Sequence, residues 1–135
     1  MERGRLSDPG GRITAVSKPG ALSSSELVEM STKLPDVVLK EGVHWTNITF
    51  KGRGFAWINH PESRAMIKAR HDERAALLAT APAVYKAGWA TNSSAWVSVH
   101  LELADPEEVW ELLEEAWRMT ATKRAVKAYE ESRRH

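Results

Sequence analysis

The hydrophobic repeat changes along this chain, and that change limits the possible folds more than any single motif. Thr46, Ile48 and Phe50 alternate with Trp45, Asn47, Thr49 and Lys51, the two-residue repeat of a strand with unlike faces. Gly52-Arg53-Gly54 reads as a short connection, and Phe55-Ala56-Trp57-Ile58 resumes a strand. The pair predicts a β-hairpin with Arg53 at its tip. His60-Pro61-Glu62 is a second turn. A third strand, Arg64 to Arg70, sets Ala65, Ile67 and Ala69 on one face and Arg64, Met66, Lys68 and Arg70 on the other. Trp96 to Leu103 alternates again, with Val97, Val99, Leu101 and Leu103 against Ser98, His100 and Glu102. The period then lengthens. Asp105-Pro106-Glu107-Glu108 supplies a capping Asp, a first-turn Pro and acidic residues suited to a helix N-terminus. Val109, Leu112, Leu113, Ala116 and Trp117 follow on one helical face.

Three weaker helical signals flank these. Ser23-Ser24-Ser25 can cap a helix carrying Leu27, Met30 and Leu34, stopped by Pro35. Asp72 is expected to cap a short helix through Leu77 and Leu78, ended by Pro82. Ala121 to Ser132 predicts a final helix with Ala125, Ala128 and Tyr129 inward, leaving Lys123, Arg124 and Lys127 to solvent or a partner. Ala83 to Ser94 is mixed and reads as loop. A helix, consecutive strands and closing helices specify an α+β fold: an antiparallel sheet with helices mainly on one face and function on the other. Residues 1–22 are rich in Gly, Ser, Pro and charge and are expected to form a disordered tail, with a single domain over 23–135.

Composition narrows the chemistry. The absence of cysteine excludes disulfides, zinc–thiolate sites and cysteine nucleophiles. A net charge of +1 makes any electrostatic function depend on a local patch. No apolar run approaches a membrane span and no secretory leader pattern opens the chain, so the expectation is a cytoplasmic protein with no membrane partner. The sequons Asn47-Ile48-Thr49 and Asn92-Ser93-Ser94 would then stay unmodified. Histidines at 44, 60, 71, 100 and 135 show no metal-ligand spacing, and His71-Asp72-Glu73 reads as a loop entering a helix cap. Glu107-Glu108, Glu114-Glu115 and Glu130-Glu131 are neighbours that point apart on a helix and read as solvated faces. No G-x-S-x-G elbow occurs, and Gly52-Arg53-Gly54 lacks the remainder of a phosphate loop. No catalytic residue, metal or cofactor is expected, and the chain reads as a non-enzyme.

Two features remain as candidate sites. Lys51, Arg53, Arg64, Lys68 and Arg70 form the main local charge excess, with Glu62 the sole acid among them. Such cations on a hairpin and sheet suit nucleic-acid phosphates, or they only solubilise a sheet surface and protect its edge. The other feature is tryptophan, six in 135 residues. Trp117 belongs to a core. Exposed Trp45 or Trp96 would serve a protein or homodimer interface, and a pocket near Trp89 and His100 would serve a small molecule. The leading expectation is a non-enzymatic binding module for DNA.

Phe50-Lys51-Gly52-Arg53-Gly54-Phe55-Ala56-Trp57 resembles a "K-x-R-G-F-A-W" segment of the MmcQ/YjbR-like proteins. Further agreement comes from Leu34-Pro35, Lys68-Ala69-Arg70 with Glu73 to Leu78, Trp96 to Leu101, Asp105 to Glu108, Ala116-Trp117-Arg118 and Ala121 to Arg124. The resemblance spans about Glu26 to Tyr129. It implies a compact α+β fold of the kind compared with a "double wing" DNA-binding architecture, and it brings no catalytic residues. From Lys86 to Ser94 the chain departs from many members, with Trp89-Ala90-Thr91-Asn92 in place of a His/Gly/Tyr-containing stretch.

Overall fold

Lys51 and Gly52 both take positive φ, 50° and 84°. This is the conformation that lets a two-residue turn follow the right-handed strand twist. They join β2 (Trp45–Phe50) to β3 (Arg53–Asn59). The turn therefore lies one residue earlier than the glycines suggest, and Arg53 opens β3 instead of occupying the tip. The computed structural model describes residues 22–91 and 94–133. The tail expected at the N-terminus lies, up to residue 21, outside the described residues; Leu22 is buried in the core.

The hairpin supplies the second and third strands of a six-stranded sheet. The other strands are β1 (Val37–Glu41), β4 (Arg64–Ala69), β5 (Tyr85–Ala90) and β6 (Ala95–His100). Their order is β1-β2-β3-β4-β6-β5, and every neighbouring pair is antiparallel. The helices are α1 (Ser24–Ser31), α2 (His71–Thr80), α3 (Pro106–Thr120) and α4 (Lys123–Arg133). The α+β expectation holds, with helices on one face of the sheet and the other left open.

Register aligns side chains into rows. Leu39, Ile48, Ala56, Ile67 and Val97 lie side by side across five strands, buried or half-buried beneath the helices. The adjacent row, one residue along, is Lys40, Asn47, Trp57, Met66, Ser98 and Lys86 on the uncovered face. A bulge at Ile48/Thr49 buries both Phe55 and Ala56.

The α3 helix lies across β3 and β4. Asp105 caps it by accepting from the Glu107 N–H, Pro106 opens it, and all five residues of the expected apolar face are buried. Burial of each large side chain there contributes about 1.5–3 kcal/mol. Trp117 is fully buried, donates its indole N–H to the Pro35 carbonyl at 3.0 Å, and meets Phe50 and Tyr129 edge-on. The Ser23 capping box opens α1. Polar contacts hold α4 to α3: Tyr129 donates to the buried Glu114 carboxylate at 2.5 Å, and Arg133 pairs with the same oxygen. Burial, then that hydrogen bond, pushes the Tyr129 hydroxyl pKa up.

Several local expectations are corrected. Residues expected to be loop form β5, an edge strand exposed at Lys86, Ala87, Trp89 and Ala90, so no apolar alternation marks it. The edge strand β1 also lacked a clear alternation. The sixth strand stops at His100 because Leu101–Leu103 wind into a 3₁₀ turn, closed by the Ala104 N–H donating to the Leu101 carbonyl, and Leu103 is exposed. Arg70, not Asp72, occupies the N-cap of α2. Ala128 is exposed, and Val126 joins Ala125 and Tyr129 at the core margin.

Candidate functional site

Charge is segregated by the sheet. Its strands carry Lys40, Arg53, Arg64, Lys68 and Lys86 against a single carboxylate, Glu41. Glu41 stands opposite Thr46 in a row of the covered face, whereas Lys40, Arg64, Lys68 and Lys86 stand in rows of the uncovered face. Among the described residues, no strand carboxylate faces the uncovered side. The carboxylates of α3, Glu107, Glu108, Glu111, Glu114 and Glu115, belong to the helical layer.

The five sequence-predicted cations divide within this frame. Lys68 stands beside Trp96, and Arg64 beside His100 at the far end of the same strand. Lys51 and Arg53 sit at the hairpin end, the end shared by Lys68; the Lys51 ammonium lies 5.7 Å from the Phe50 ring centre. Arg70 leaves the alternation of β4 and pairs with Glu115 on α3 at 2.7 Å. The structure adds two cations not singled out from sequence, Lys40 and Lys86, because each sits alone in an edge strand.

Near the hairpin end the uncovered face holds a groove of about 350 Å³ lined by Asn47, Gly54, Trp57, Trp89 and Trp96. Its shape follows from two glycines. A Cβ on Gly54 would stand 2.8 Å from Asn47 Oδ1, so the absence of a side chain leaves the floor open. A Cβ on Gly88 would stand 2.5 Å from Met66 Cε and 2.7 Å from the Trp96 carbonyl oxygen, so only glycine passes there without displacement. The β5–β6 register shifts between Ala87 and Ala90. This irregularity turns Trp89 against Trp96, with ring centres 6.3 Å apart and planes at 76°. Trp89 is 69% exposed.

The α2 helix holds this irregularity in place. Arg74 Nη1 donates to the Gly88 carbonyl at 2.8 Å and approaches the Trp96 carbonyl at 3.4 Å. His71 Nε2 donates to the Thr91 carbonyl at 2.6 Å, which assigns its proton to that nitrogen. Beside them, burial pushes the Glu73 carboxyl pKa up, and one of its oxygens has no hydrogen-bond partner. Arg74 and His71 are the positioning groups for Trp89. The Asn47 carboxamide in the groove has no hydrogen-bond partner among the described residues. Its carbonyl and amino groups are free to accept and donate.

The other polar clusters are structural in geometry. His60 bridges Thr46 and Ser24 through both ring nitrogens, each at 2.8 Å, and ties α1 to the sheet. Tyr85 donates to Glu108 at 2.7 Å; burial, then this carboxylate, raises its hydroxyl pKa. His100 lies at the other end of β6 from Trp96, so it does not share the Trp89 groove. Among the described residues no three His, Asp or Glu side chains gather as a metal site, and no helix is long and apolar enough to cross a membrane.

No curated protein matches the chain. Among solved structures, the crystal structure of Deinococcus radiodurans protein DR2400, which carries a DUF419 domain, is similar with a TM-score of 0.67. The two share 19% identity, over 81% of this chain and 88% of that one. At that identity the likeness speaks for the fold: an open antiparallel sheet backed by helices. The YjbR family model matches residues 32–119, from the end of α1 to the last turn of α3, and so takes in the hairpin, the Trp89 irregularity and the buried helix face. The chain belongs to the YjbR family.

Proposed function

We propose that this protein is a non-catalytic, cytoplasmic nucleic-acid-binding module that takes a phosphate backbone along the uncovered face of its sheet. The observation that carries this reading is the segregation of charge: Lys40, Arg64, Lys68 and Lys86 on one face, with the strands' only carboxylate turned to the other. A near-neutral chain arranged this way presents a cationic surface without being basic overall. Lys51 and Arg53 lie outside that surface, at the hairpin end with Arg53 opposite the buried Phe50, and Arg70 is matched by Glu115. Few phosphate contacts imply weak binding, on the order of micromolar or poorer at physiological salt.

Titration of labelled single strands and duplexes at several salt concentrations tests the reading. The variant Lys68→Ala with Lys86→Ala is expected to weaken binding to all sequences. It should also flatten the log–log salt slope by roughly 1.4–1.8, at about 0.7–0.9 per phosphate contact. An absence of binding even at low salt overturns the reading. A rival follows from Trp45, Trp57 and Trp89, all exposed on this face: a protein or homodimer interface. Concentration-dependent dimerisation abolished by Trp89→Ala, with no nucleic-acid binding, would establish it instead.

A further inference from the structure

We infer that the Trp57–Trp89–Trp96 groove receives one unpaired base, so that the polymer recognised is a single strand and not a duplex. The inference rests on the nucleic-acid reading above and names the ligand of the same face. Three observations carry it. The groove is bounded by three indoles, and its volume of about 350 Å³ lies at the small end of ligand pockets, room for one flat ring system with its sugar. Bases in a duplex hide their flat faces against one another, whereas an unpaired base offers both to aromatic side chains. The free carboxamide of Asn47, set over Gly54, offers a donor and an acceptor to the edge of such a base. Finally, Lys68 stands directly beside Trp96, and Lys86 lies beyond it on β5 in the row of Ser98. A backbone whose base is seated would therefore run over strands that carry cations: Lys68 on β4, between the strands of Trp57 and Trp96, and Lys86 on β5, the strand of Trp89. An apolar protein segment would fill the same indole surface but would leave these cations, and the Asn47 amide, without counterparts.

The test is a fluorescence titration at low salt with oligothymidylate, oligoadenylate, a duplex of the two, and AMP. Tryptophan emission is followed beside the anisotropy of labelled strands. Single strands are expected to bind at least about ten-fold tighter than the duplex and to quench tryptophan emission. Trp89→Ala should weaken single-strand binding roughly five- to hundred-fold, the range of one lost stacking contact, while Trp89→Phe retains most of it. Trp89 is largely exposed, so neither variant should disturb folding. Duplex binding as tight as single-strand binding overturns the base-seating inference while leaving the nucleic-acid reading intact. Indifference to Trp89→Ala does the same, and so does AMP binding as tightly as the oligonucleotides, which would assign the groove to a free nucleotide. Failure of every probe to bind overturns both.

Discussion

The two faces of the sheet differ by a single residue step and obey different physics. Ile48, Ile67 and Val97 are fully buried; Asn47, Met66 and Trp96, their neighbours along the same strands, are not. The covered face is organised by apolar area and close packing, whose contributions are large and non-directional. The uncovered face is organised by what its side chains present to solvent: cations without strand carboxylates among them, and indoles standing partly free. Tryptophan appears on both. Trp117 is fully buried with its N–H bonded; Trp89 is mostly exposed and touches chiefly another indole. One residue type thus holds the fold together on one side and lines a groove on the other. Residue identity alone does not separate the roles.

Chemical denaturation of Trp117→Ala and Trp89→Ala sharpens this contrast most. The first should lose about 3–5 kcal/mol, because it empties a packed site and strands the Pro35 carbonyl. The second should stay within about 0.5 kcal/mol of wild type, as surface substitutions do. Equal losses would mean that both faces contribute comparably to the core and would dissolve the comparison.

Gly88→Val comes next, with an expected loss of about 1–3 kcal/mol, because its side chain would overlap Met66 and the Trp96 backbone. The same change should shift the near-ultraviolet circular dichroism of the indole pair by moving Trp89 away from Trp96. A change in stability with an unaltered indole spectrum would show that Gly88 serves packing alone.

Glu73→Gln has the smallest expected effect. Burial raises the Glu73 pKa, so the fold favours the neutral acid. The wild-type fold therefore binds more protons than the unfolded chain between the ordinary glutamate pKa and the raised one. This contribution to stability is fully present below that window and is lost as pH rises through it. The uncharged glutamine should be as stable as wild type or slightly more so near pH 7, by a few tenths of a kcal/mol, with that margin shrinking toward acid. A variant less stable at neutral pH would mean that the carboxylate form is the one the site holds.

The local elements were legible because their signals lie within a few residues of one another. Alternation in Thr46-Ile48-Phe50 and Ala65-Ile67-Ala69, the Asp105-Pro106 start and the spacing from Val109 to Trp117 each follow from pleat or helical pitch. The edge strands escaped because edges bury little. In Tyr85–Ala90 a glycine and an exposed tryptophan interrupt the pattern that would announce a strand. Lysine, alanine and glycine there carry no strand preference of their own, and the segment is a strand because its neighbour supplies hydrogen bonds.

By itself, then, the sequence determined an antiparallel sheet backed by helices, the identity of the buried helix face, and a cation-rich stretch between Lys51 and Arg70. Only the tertiary structure decided which of those cations share a face. Arg70 continues the alternation of β4 on paper, yet its side chain pairs with Glu115, forty-five positions later in the chain. Lys40 and Lys86 belong to one row only through four intervening strands. Asn47, Gly54, Trp57, Trp89 and Trp96 form a groove only once β6 inserts between β4 and β5 and brings the Gly88–Trp89 irregularity against the sheet. Hydrophobic period is a property of a strand and its nearest neighbours in sequence. A groove is a property of register between distant strands, which no local repeat encodes.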